Sequence, residues 1–115
     1  MREPKILIVG RVPAVIHILV DEAARSGRQV WGCAASDGPV DVVREREIDV
    51  VIMGAGLPDE TRHALAADVA ALPRPVDVRM IVRTADGGPA KLLAFLHEHA
   101  VAWKVAQVLG PRPTR

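Results

Sequence analysis

Two short apolar runs constrain this chain more than anything else in it. Lys5-Ile6-Leu7-Ile8-Val9 stops at Gly10, and Asp49-Val50-Val51-Ile52-Met53 stops at Gly54. Neither run alternates with polar residues, and both are short. A strand that is apolar on both sides needs cover on both faces, which is the pattern of a central strand in a parallel sheet.

The intervening sequence supplies the cover. Pro13 suits a first helical turn, and residues 14–25 carry Val15, Ile16, Leu19 and Ala23 at helical spacing. Gly27 is expected to close that helix in a left-handed conformation. Gln29 to Ala34 reads as a second strand, Ser36-Asp37-Gly38 as a turn, and Val40, Val43 and Glu47 as a short second helix. A third helix is expected from Pro58 or Asp59 to Leu72, with acids in its first turn where the helix dipole favours them. Val76, Val78, Met80 and Val82 alternate with Asp77 and Arg79, as in a half-covered strand near a sheet edge. Ala85 to Gly88 reads as a turn and Lys91 to His99 as a further helix. Ala100 to Val105 reads equally as a fifth strand or as a continuation of that helix to Leu109.

Strands alternating with helices at these spacings predict an α/β fold. The expected form is a three-layer, doubly wound parallel sheet of four or five strands, flavodoxin-like, in the order 2-1-3-4, with 5 last if it exists. Residues 1–109 are expected to form one domain, and the proline-rich residues 110–115 a loose tail.

Composition removes several function classes. The 115 residues are half hydrophobic and a quarter charged, as in ordinary globular proteins, and carry a formal charge of +1. Without a Lys/Arg block, and with Trp31, Phe95 and Trp103 as scattered aromatics, nucleic-acid binding is not expected. No apolar run reaches the roughly 18 residues of a membrane span. With no leader pattern and a single cysteine, a cytoplasmic location is expected.

In doubly wound sheets, ligands and chemistry gather at the carboxyl ends of strands where the strand order reverses. That places Gly10, Arg11, Gly54, Ala55, Gly56 and Thr84 together as a candidate anion site. The glycines of residues 54–56 would let backbone N–H groups approach a phosphate, with Arg11 adding charge and Thr84 a hydroxyl. The competing reading is that small residues simply permit a tight strand-to-helix turn. Neither loop carries a dinucleotide fingerprint or a Gly-Lys-Ser/Thr phosphate loop, so no cofactor is expected. His97 and His99 are two apart on a helix and diverge, and His17 and His63 are isolated, so no metal site is expected. Cys33 is expected to be a small buried thiol. No Ser-His-acid or Cys-His arrangement is legible.

Several pieces, in this order and spacing, resemble a response-regulator receiver domain. Residues 22–30, EAARSGRQV, are similar to the family's helix end and entry into its second strand. Residues 35–38, ASDG, resemble its next turn. DVVIMGAGLPD resembles its third strand and following loop, and VRMIVRTA at 78–85 its fourth strand. The resemblance implies an acid pair at about Gly10 and Arg11, and a phosphorylated aspartate at Gly54. It implies a switch hydroxyl at Thr84, and a lysine at Lys104 if Ala100 to Val105 is a fifth strand. The acids are missing. Glycine offers no nucleophilic oxygen, and Arg11 would repel the Mg²⁺ that carboxylates would otherwise hold. Asp59 is expected to sit at a helix start instead.

The expectation is therefore a degenerate receiver: non-catalytic, independent of phosphorylation, and acting in signalling through protein contacts. The alternative is a small Rossmann-like binder of a phosphate-bearing ligand at the anion site. Residues 90–109 offer more apolar surface than one helix side requires. Leu92, Phe95, Leu96, Trp103 and Leu109 are the candidate contact surface, for a protein partner or a homodimer.

Overall fold

The two apolar runs lie side by side at the centre of a four-stranded sheet. The computed structural model describes residues 2–54, 56–80 and 88–109. In it, β1 (Lys5–Gly10) pairs in parallel with β3 (Val50–Met53), with Ile6 level with Val50 and Val9 with Met53. On the outer sides, β2 (Gln29–Ala34) flanks β1 and β4 (Asp77–Met80) flanks β3, both in parallel. The order is therefore 2-1-3-4, as expected.

Four helices, α1 (Pro13–Arg25), α2 (Pro39–Arg46), α3 (Asp59–Ala70) and α4 (Gly88–Leu109), complete the three layers. Successive side chains of a strand point to opposite faces, so each apolar run feeds two cores. Ile6, Ile8, Val50 and Ile52 meet Leu19 and Ala23 of α1 and Leu96, Ala100 and Trp103 of α4. Leu7, Val9, Val51 and Met53 meet Val43 of α2 and Val69 of α3 on the other side.

Local signals set the helix ends. Pro13 opens α1. At its far end Gly27 takes φ +82°, and the N–H groups of Gly27 and Arg28 donate to the carbonyls of Ala24 and Ala23. These two hydrogen bonds make a Schellman closure. Gly32 has a different reason to be glycine: a Cβ there would lie 2.2 Å from Cγ2 of Ile16, so its absence lets α1 settle on β2.

Residues 100–105 belong to α4, a single 22-residue helix. A strand would have put Val101, Trp103 and Val105 on one face. Instead Trp103 is buried, while Val101 and Val105 are half exposed. The buried set Leu96, Ala100 and Trp103 follows helical spacing. There is no fifth strand among the described residues, and Lys104 does not occupy a strand end.

This corrects the expected contact surface as well. Leu96 is fully buried and Trp103 is 9% exposed, both inside the chain's own core, because α4 packs beside α1. Phe95 is half-buried against the same core. Leu109 is 79% exposed. The Leu92 side chain, the turn at 85–87 and the tail at 110–115 lie outside the described residues.

An ion network ties the amino ends of the strands. Asp49, 5% exposed, accepts two hydrogen bonds from Arg2 at 2.8 and 3.0 Å, one from Arg74 at 2.6 Å, and one from the Lys5 backbone N–H at 2.8 Å. Burial opposes its ionisation, but the Arg2 and Lys5 bonds and the two guanidinium charges outweigh it and hold its pKa below the ordinary value. Next to it, Glu3 pairs with Lys104 and, at 2.7 Å, with Arg28. The Lys104 hydrogen bond outweighs burial there, and with Arg28 it lowers the Glu3 pKa. Arg28 also donates from Nε to Nδ1 of His97 at 3.0 Å. Residues 2 and 3 thus strap α4 to the sheet, with Arg2 lying over the Trp103 ring at 4.9 Å.

Candidate functional site

At the carboxyl ends of the central strands, the sheet itself brings the two loops together. Parallel pairing of β1 with β3 puts Gly10 and Gly54 side by side, and the Gly54 N–H donates to the Val9 carbonyl at 2.9 Å. A Cβ on Gly54 would come 3.9 Å from the Gly10 Cα, and one on Gly56 would come 3.9 Å from the Arg11 Cβ. Four of the six residues expected at the anion site, Gly10, Arg11, Gly54 and Gly56, are therefore neighbours. Ala55 and Thr84 lie outside the described residues.

The backbone at Gly54 is outside the left-handed region, and a Cβ there would make only ordinary contacts, the nearest 3.6 Å from the Val9 carbonyl oxygen. Among the described residues, neither backbone geometry nor space demands glycine at this strand end. At Gly10 space is tighter, because a Cβ would meet Cγ1 of Ile16 at 3.0 Å. Ile16 thus fills the volume over both Gly10 and Gly32, while Gly54 is less crowded by the described residues.

Charge at the opening comes from Arg11. Its side chain is exposed, and no hydrogen bond or ion pair holds it among the described residues. Asp59, the nearest acid along the chain after Gly54, begins α3 as expected and pairs with Arg62 one turn on. The described part of this opening therefore offers a free guanidinium and backbone groups. It presents no side-chain nucleophile.

The other titratable groups fall elsewhere. His17 pairs with Asp21 on the exposed side of α1 at 3.4 Å. His97 is engaged by Arg28, and the His99 ring packs against Phe95 tilted by 58°, with ring centroids 4.1 Å apart. Burial, then the Arg79 charge, lowers the His99 pKa. Among the described residues no group of three His, Cys, Asp or Glu side chains could hold a metal ion. No described helix is long and apolar enough to cross a membrane.

Sequence reasoning missed one cavity. A space of about 260 Å³ opens between α1 and β2, with His17, Cys33 and Asp37 as its polar lining. Burial, with the Asp37 charge, pushes the Cys33 thiol up to about 11. That thiol stays protonated near neutrality and is a poor nucleophile. Nothing in a linear reading joins Cys33 to His17, because their proximity depends on how α1 crosses Gly32.

No family model matches this chain, and the comparison with curated proteins found no match.

Proposed function

We propose that this chain is a receiver-like regulatory module that works through protein contacts and takes no phosphoryl group. The observation that carries the reading is Gly54. It stands at the carboxyl end of β3 beside Gly10, where no described residue would crowd a side chain, yet it offers no oxygen. Arg11 begins its side chain beside Gly56, and its positive charge would oppose the divalent ion that the receiver reading requires near this loop. Contact surface is supplied by the outer side of α4, where Val101, Val105, Val108 and Leu109 are exposed at helical spacing.

The test is incubation with acetyl phosphate and Mg²⁺, followed by intact-mass measurement and peptide mapping. The expected result is no stable phosphoryl adduct in the residues around Gly54. An adduct on any side chain there would overturn the reading.

Arg11 supports a second reading, an anion-binding module, because its guanidinium is exposed beside two glycine loops. A thermal-shift screen with phosphate, nucleotides and sugar phosphates separates the two, since a ligand that binds the native state raises its stability. A rise that Arg11→Ala abolishes favours the binder. A flat screen favours the contact module.

A further inference from the structure

The open edge of β4 carries a self-complementary pattern. β4 is the last strand of the sheet, so it has a neighbour on one side only among the described residues. The Asp77 N–H donates inward to the Asp49 carbonyl at 3.0 Å. Backbone groups alternate in direction along a strand, so Asp77 and Arg79 bond toward β3, while Val78 and Met80 turn their N–H and C=O groups to the open edge.

Side chains alternate as well. Asp77 and Arg79 share one face, each about half exposed, with His99 of α4 the titratable group coupled to both. Val76, Val78 and Met80 lie half-buried on the other face.

We propose that a second copy of this chain pairs antiparallel along this edge, about a two-fold axis through Val78. The register follows from the backbone. Val78 faces its own copy as a hydrogen-bonded pair, because its groups point outward. Asp77 then lies opposite Arg79 of the other copy, and Arg79 opposite Asp77, in the non-hydrogen-bonded positions where side chains come closest. Val76 falls opposite Met80 on the reverse face, extending the apolar row across the junction. A two-fold through Val76 would bring Pro75 opposite Asp77 and would leave Arg79 unmatched.

Charges on an edge strand commonly guard it against pairing. A single sign does that by repelling a copy. Here the signs are opposite and two residues apart, so an antiparallel copy meets attraction at both positions. This contact lies apart from the outer side of α4 and from the Arg11 opening, and it stands or falls independently of the function proposed above.

The experiment uses Asp77→Arg, Arg79→Asp and the double swap, each checked for folding by circular dichroism and thermal melting. Native mass spectrometry and analytical ultracentrifugation at micromolar concentration read the oligomeric state. Wild type is expected to be dimeric. Each single variant sets like charges opposite one another and should weaken self-association at least about tenfold. An equimolar mixture of the two single variants should form mixed dimers, and the double swap should restore the homodimer. A monomeric wild type, or single variants that dimerise as wild type does, would overturn the proposal. So would a failure of the mixture to recover association.

Discussion

Arg2 clasps Asp49 with both terminal guanidinium nitrogens, at 2.8 and 3.0 Å, across 47 residues of sequence. The bond joins the residues before β1 to the residue before β3, and Arg74 closes on the same carboxylate from the segment before β4. Asp49→Asn keeps the shape but removes the charge, leaving the two guanidinium groups without their anion. Charge-assisted hydrogen bonds to a buried group contribute more than neutral ones, so the expected loss is about 2–4 kcal/mol in urea unfolding. Arg2→Ala should cost less, because Arg2 is 56% exposed and Arg74 stays in place.

Acid should destabilise the fold through the same network. Asp49 and Glu3 both have pKa values held below the ordinary one in the folded chain. Their contribution is therefore fully present above the unfolded carboxylate range, about pH 4 to 5, and is lost as pH falls through the folded values. Unfolding free energy measured from pH 7 down to about pH 3 should fall on this limb. Glu3→Gln should flatten it and should leave the slope above pH 6 unchanged.

The glycines should separate sharply. Gly32→Ala drives a Cβ into Ile16, whose Cγ2 is branched next to the backbone and has little room to yield. The expected cost is about 1–3 kcal/mol. Gly54→Ala meets only ordinary contacts among the described residues and should change stability by less than about 1 kcal/mol. Thermal melts of the two variants side by side check this. Equal, large losses would mean that Gly54 serves the fold.

Helix α4 should divide into a core side and an idle side. Trp103→Ala removes a buried ring and the surface on which Arg2 rests, with an expected cost of about 3–5 kcal/mol. Leu109→Ser and Val108→Ser change exposed positions and should stay within about 0.5 kcal/mol. Any larger effect of the serine variants on binding than on folding would locate the contact surface.

Cys33 should be slow. With its thiol pushed up to about 11, the thiolate fraction at pH 8 is small. Alkylation by iodoacetamide in the folded chain is expected to run about ten- to a hundredfold slower than in urea. Reaction at equal rates in both conditions would contradict the partial burial of the thiol.

The linear chain determined the layers, the strand order and the meeting of Gly10 with Gly54. Apolar runs with no polar alternation have to be covered on both faces, and Pro13 and Gly27 mark helix ends through their own backbone limits. It determined also that no carboxylate stands at Gly54. Tertiary structure alone decided the rest. Residues 100–105 satisfy both a two-residue and a helical period, and packing beside α1 chose the helix by giving Trp103 a buried place. That same choice drew Leu96 and Trp103 away from the surface where an apolar count had put them. Asp49 gives no local sign of its importance, because its partners stand at residues 2 and 74, and only the folded sheet brings their charges within hydrogen-bonding distance of it.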